Sequence, residues 1–297
     1  MPQVNPTRWS ETELQKDRDL AEARFVLERQ GEGPTAFYAA WDVVRPQIER
    51  AMALTDNLRD ISAQALLKER GLWQTLRYFC APPVSEEDLW TLVGKKFKNV
   101  PVDYAERASE AFESVLDSRR LPWINESRSP TEEETEKAIF STTLLLAHET
   151  FKTNKRGSSS KAQEAEVSRA LEQAGITFEP SRSAITSLDG LSRSSFSRER
   201  KVAGAKCDIP IRLQDGRLLA LECKVSNGPK NSWKRLQREV GGKADTWRRE
   251  FGSQVITGAL LAGVFDLTCV RRSQEEQGVA IFWQHDLEPL ISFVTNS

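Results

Sequence analysis

The sequence predicts an α/β protein whose helical first half precedes a mixed helix-and-strand second half. Three observations carry that reading. Residues 11–118 show helical spacing of apolar side chains, interrupted by Gly and Pro. Two β-rich runs, Cys207–Leu213 and Arg217–Val225, flank Asp215-Gly216, a dipeptide that favours tight hairpins. Apolar runs at Val255–Phe265 and Gly278–Trp283 then read as buried strands, although periodicity leaves the first open to a helical reading.

The elements follow in order. Ser10 with Glu13 makes a capping-box pattern ahead of a helix over Glu11–Gln30, which Gly31, Gly33 and Pro34 are expected to stop. Further helices are expected around Phe37–Met52, Arg59–Arg70, Ser85–Val93 and Tyr104–Ser118. Leu121–Pro130, with its Pro, Asn and Ser, reads as a linker and divides a helical domain, 1–130, from a second domain, 131–297. Glu132, Glu133, Glu134 and Glu136 open a helix running through His148, at the end where carboxylates suit the helix dipole. Gly157–Ser160 reads as a small-residue loop, and Lys161–Ala174 as a helix ended by Gly175. Glu164 lies at the start of that helix's apolar face, where a carboxylate needs a proton, an arginine or a metal, while Glu166 falls on the wet side. After the hairpin, a helix over Ser232–Phe251 carries Trp233, Leu236, Val240, Ala244, Trp247 and Phe251 as a stripe that reads as core packing, with Gly241-Gly242 weakening its middle.

Composition bounds the function. The 39% hydrophobic and 29% charged residues of this 297-residue chain suit a soluble globular protein. No stretch approaches the roughly 18–20 apolar residues of a membrane span, and the polar, proline-containing Met1–Ser10 does not read as a secretory signal. The expectation is a cytoplasmic protein without membrane association. Cys80, Cys207, Cys223 and Cys269 form no Cys-x-x-Cys pair, which speaks against disulfides and a zinc knuckle. With His148 and His285 as the whole histidine complement, each read as a packed or capping residue, a catalytic metal would have to be held mainly by carboxylates, as a hard ion such as Mg2+ is. Net charge is −1, but cations gather locally: four basic residues and no acidic one over 152–161, five against one over 193–206, seven against three over 226–250. Such clusters suit either a phosphate-binding face or ordinary solvated surface.

The strand Leu218–Val225 is apolar except for Glu222 and Lys224, which period-two geometry places on one face. Desolvating that pair is costly, and stability alone seldom calls for it. With the turn at Asp215-Gly216, the antiparallel register brings Asp208 to Glu222 and Lys224. The two carboxylates are then placed to share a divalent cation, with the Cys223 carbonyl as a further oxygen ligand and Cys223's side chain on the opposite face. Lys224 would stand beside a bound water, lowering its effective pKa or steadying hydroxide as it attacks phosphorus. The bland alternative, a Glu222–Lys224 ion pair on an edge strand with Asp208 solvated, stays open at this point.

The order helix, hairpin with Asp and Glu-x-Lys, helix, strand resembles the PD-(D/E)XK nuclease superfamily. Asp208, Glu222 and Lys224 match its signature positions, with Cys207 in place of the usual proline, and Glu164 matches the helical glutamate that often joins its metal shell. More closely, the runs 219–227, 231–232, 234–236, 238–244 and 281–283, with the opening Pro2–Pro6 and Arg8-Trp9, resemble the XamI-like type II restriction endonucleases over most of the chain. The resemblance implies a restriction-endonuclease-like core with a mixed central sheet flanked by helices, and Mg2+-dependent cleavage of double-stranded DNA at a short site. It also implies a homodimer, because a palindromic site is matched by two-fold symmetry, and a cognate DNA methyltransferase in the same system. The polar loop Ser226, Asn227, Lys230, Asn231 and Ser232 then becomes a candidate DNA contact, as do Lys234, Arg235 and Arg238 on the next helix. The helical domain is expected to clasp DNA or pair subunits. Two rival readings stand beside this one: a repair or structure-specific nuclease of the same fold, and a non-catalytic DNA-binding protein on a decayed nuclease scaffold.

Overall fold

The computed structural model describes residues 3–181 and 183–297, apart from the side chains of 155–159. Pro2 of the opening motif, and the side chains of Lys155 and Arg156 in the first basic cluster, therefore lie outside the described residues. The strands are β1 (Thr177–Phe178), β2 (Ser195–Phe196), β3 (Arg200–Val202), β4 (Ala205–Cys207), β5 (Ile209–Arg212), β6 (Leu218–Asn227), β7 (Val255–Val264) and β8 (Ala280–Trp283). Six of them form a mixed sheet in the order β1-β2-β5-β6-β7-β8, and β3 and β4 form a separate hairpin. β5 and β6 pair antiparallel, while β6, β7 and β8 run parallel. Parallel neighbours need a crossover. Helical residues 229–251 supply it between β6 and β7, and Leu267–Glu275 between β7 and β8. The apolar run expected over 255–265 is thus a strand over Val255–Val264, its ten residues in register with β6.

β6 is interior, and Leu218 through Lys224 are all buried, as the apolar run requires of a strand covered on both faces. On one face Leu219, Leu221 and Cys223 pack with Val167, Leu171 and Phe293. On the other, Leu218 and Ala220 pack with Val202 and Trp247. Alternation puts Glu222 and Lys224 on this second face.

The chain forms two compact units, 1–31 with 155–297, and 32–154. The division differs from the boundary expected near residue 130, for two physical reasons. The N-terminal segment packs with the sheet: Trp9 donates from Nε1 to the Ile281 carbonyl at 2.8 Å, and Leu14 is buried beside Ile281 and Trp283. The expected linker is core in the helical unit, where Leu121 and Trp123 are fully buried and Trp123 donates to the Asn57 carbonyl at 2.8 Å.

Two helices are longer than local signals suggest. Glu11–Leu54 runs through Gly31, Gly33 and Pro34, and Glu132–Gln173 runs through 157–160. A proline removes one backbone donor, and the flanking turns keep theirs. The Ser10–Glu13 capping box is present, with Ser10 N–H donating to Glu13 at 2.8 Å. Within the helical unit, Arg59–Arg70 shortens to Ala63–Leu67, capped by Ser62, and Leu72–Leu76 is an additional helix. Glu86–Val93, with a Ser85–Asp88 capping box, and Ala105–Val115 form as expected. No described helix is long and apolar enough to cross a membrane.

Candidate active site

Asp208 occupies the break between β4 and β5, so the expected run Cys207–Leu213 is shared between two sheets. Gly216, at φ +95°, turns the chain, and Leu213 closes the hairpin by donating to the Arg217 carbonyl at 2.9 Å. The register that pairs Ile209 with Leu221 continues to set Asp208 against Glu222. Asp208 Oδ2 accepts from the Cys223 amide at 2.9 Å and from Lys224 Nζ at 2.8 Å. Lys224 Nζ also lies 2.8 Å from Glu222 Oε2 and 3.3 Å from the Cys223 carbonyl. Asp208, Glu222 and Lys224 thus meet around one ammonium. An exposed ion pair on an edge strand is excluded, because β6 lies between β5 and β7.

Glu222 is fully buried, and its Oε1 has no hydrogen-bond partner among the described residues. Burial pushes its carboxyl above the ordinary glutamate range, with the neighbouring Asp208 adding to the rise and Lys224 and Lys243 opposing it. Burial works against the Lys224 charge too, but the Asp208 and Glu222 carboxylates outweigh it and raise the ammonium's pKa. Lys224 is thus held as a charged donor between the two carboxylates. Glu164 is half-buried and accepts from Ser160 Oγ at 3.1 Å. Burial raises its pKa, and Asp208 pushes in the same direction. It stands in the electrostatic field of the cluster without a direct bond to it. Glu166 is half-buried, and not on a wet face, because Gln284 donates to it at 2.7 Å.

The structure separates the expected DNA contacts into two kinds. Ser226 and Ser232 are fully buried and do not face solvent. Ser226 Oγ donates to the Gly228 carbonyl at 3.0 Å, and Ser232 Oγ accepts from the Asp266 amide at 3.2 Å. Both tie down the chain leaving β6, and the expectation that they touch DNA is corrected accordingly. Asn227, Lys230, Lys234 and Arg238 are exposed, and Asn231 and Arg235 are half-buried. In the basic stretch 193–206, Arg200 is buried and donates to the Ser183 carbonyl at 2.7 Å, whereas Arg198 and Lys201 are exposed. Those two line a hollow of about 710 Å³ with Phe178 and Lys206. His285 bonds Asp17 at 3.2 Å, and His148 is exposed rather than packed. The tryptophan stripe is core: Trp247 is fully buried and donates to the Val202 carbonyl.

Sequence reasoning missed Lys243, whose Nζ lies 2.6 Å from Glu222 Oε2. A signal was present. Lys243 falls on the apolar stripe of its helix, three residues after Val240 and four before Trp247, where a lysine needs a buried partner. The crossover is α-helical over Pro229–Trp233, π-helical over Lys234–Val240 and α-helical again over Gly241–Phe251, so Lys243 follows the wide π turns by three residues.

Among the described residues no three His, Cys, Asp or Glu side chains converge as a ready-made metal cluster. The donors present are the Asp208 and Glu222 carboxylates and the Cys223 carbonyl, all oxygen. An all-oxygen set with one buried, unpartnered carboxylate oxygen fits a hard divalent cation.

Comparison with known proteins identifies the family. The chain is 32% identical over 261 residues to the type II restriction enzyme XamI of Xanthomonas campestris pv. amaranthicola, covering 84% of this chain and 93% of that enzyme. A second match, 26% identical over 125 residues, takes in 42% of this chain and only 12% of a UPF0182 protein of Frankia casuarinae. No solved structure matches the chain. The XamI restriction endonuclease family model matches residues 56–283, a span that includes Asp208, Glu222, Lys224 and Lys243, and the chain belongs to that family.

Proposed function

We propose that this chain is a type II restriction endonuclease that hydrolyses phosphodiesters of double-stranded DNA at a short specific site, with Mg2+ at Asp208, Glu222 and the Cys223 carbonyl. One observation carries the site assignment. In a member of a restriction endonuclease family, a fully buried glutamate with a free oxygen stands across a hairpin from an aspartate. Bound there, the cation supplies Lewis acidity and a water ionised nearer neutral pH. The protein's own part is positional. Asp208 and Glu222 hold Lys224 Nζ protonated beside the Cys223 carbonyl, where it can donate to charge developing on a phosphate. Glu164 stands by as a further acidic ligand. DNA lies along Asn227, Lys230, Asn231, Lys234, Arg235 and Arg238, the cations favouring phosphates and the amides suited to phosphate or base-edge hydrogen bonds. The unit 32–154 then serves to clasp DNA or pair subunits. A cytoplasmic homodimer and a companion methyltransferase complete the reading.

Plasmid digestion tests it. Discrete fragments are expected with Mg2+ and none with a chelator; a smear would favour the nuclease that does not read sequence, and no cutting in any divalent metal would favour a non-catalytic DNA-binding role.

A pH prediction follows from Glu222. Its carboxyl binds a proton more tightly than an ordinary glutamate, so on acidification it neutralises early. A plot of Mn2+ affinity against pH should break above the usual carboxylate range and fall on the acid side. A break at or below that range would count against a buried Glu222 ligand.

A further inference from the structure

Glu222 carries two ammonium groups on one oxygen: Lys224 Nζ at 2.8 Å and Lys243 Nζ at 2.6 Å, both from Oε2, while Oε1 has no hydrogen-bond partner among the described residues. The two lysines are held differently. The Lys224 side chain is 8% exposed and is also engaged by Asp208 and the Cys223 carbonyl. The Lys243 side chain is 25% exposed, reaches in from its helix, and has Glu222 as its ion-pair partner among the described residues.

A buried carboxylate needs cations around it. Asp208 and Glu222 carry two negative charges, and Lys224 and Lys243 two positive ones, so these four directly bonded side chains balance with no metal bound. A dication arriving at the carboxylates leaves two positive charges in excess and repels both ammoniums over a few ångströms. Lys224 is enclosed at 8% exposure, whereas Lys243, at 25%, has solvent beside it into which its ammonium can withdraw.

We propose that Lys243 is an exchangeable counter-ion: it neutralises Glu222 in the metal-free enzyme and gives up Oε2 when a divalent cation binds. The proposal rests on the metal reading of Asp208 and Glu222 above. Lys243 would thereby protect the buried carboxylate at the cost of weaker metal binding before DNA arrives.

The test is direct Mn2+ binding to the full chain without DNA, read from the electron paramagnetic resonance of free Mn2+. Lys243→Met should bind Mn2+ on the order of tenfold more tightly than the unaltered protein. Lys243→Arg, which keeps the charge, should stay close to the unaltered protein. Thermal unfolding gives a second readout, in which loss of a merely structural lysine would lower Tm equally with and without metal. Lys243→Met should lower Tm without metal, and the deficit should close at saturating Mn2+. If Lys243→Met does not fold by circular dichroism, Lys243→Gln takes its place in both measurements. Affinity no tighter than the unaltered protein's, or a Tm deficit that persists at saturation, overturns the counter-ion role alone. Mn2+ binding that Asp208→Asn leaves unchanged overturns the metal assignment beneath it.

Discussion

Asp208→Asn is expected to slow plasmid cleavage by on the order of 10³-fold while leaving the fold intact. The amide keeps the size of the carboxylate, and its oxygen can still accept from the Cys223 amide, now 2.9 Å from Oδ2, so the hairpin retains its clasp. What is lost is the negative charge, both at the cation site and in the bond to Lys224 Nζ, 2.8 Å from Oδ2. Lys224→Met should cost a comparable factor by a different route, removing the held ammonium while Lys243 still neutralises Glu222. Single-turnover cleavage under enzyme excess measures both, with gel-shift binding in Ca2+ as the control for DNA affinity. Rates within about tenfold of the unaltered protein for both variants would refute the site.

Gly263→Ala should destabilise the protein by about 3 kcal/mol or more, a large effect for one methyl group. Gly263 sits in β7 directly beside Ser226 of β6, at φ +87°, a backbone conformation that an L side chain resists. A Cβ built there lies 2.2 Å from the Ser226 carbonyl oxygen. That atom is backbone within a ladder, so relief requires the strands to part, and they would part where β6 leads from Lys224 into the exposed Asn227. Urea unfolding checks the prediction; a loss under about 0.5 kcal/mol would mean that the strands do not approach so closely. Cleavage should fall with it even below the unfolding midpoint, because the end of β6 carries the chain from the site toward the exposed basic residues.

The contrast between what was legible and what was not follows the range of the interactions involved. The hairpin could be read because its determinants are local: a turn dipeptide between two apolar runs, and side chains that alternate with period two. Asp208, Glu222 and Lys224 therefore come together where the turn requires. The helix boundaries were less legible, since Gly31, Gly33 and Pro34 weaken single turns that the flanking segments sustain. Leu121 and Trp123 looked like linker because polar neighbours surround them in sequence, yet both are fully buried. Ser226 and Ser232 looked like a wet, polar loop, but hydroxyls also serve backbone groups that the chain buries as it leaves a strand.

By itself, then, the sequence determined the α/β class, the acidic pair across a turn, the lysine beside it and the kinship with restriction endonucleases. Tertiary structure alone decided that β6 is an interior strand, that residues 1–31 pack with the sheet, and that Lys243 reaches Glu222. The physical reason is distance along the chain. A turn and an alternation act between near neighbours, whereas the partner of a buried charge is chosen by whichever segment the crossover packs against it, 21 residues away in this case.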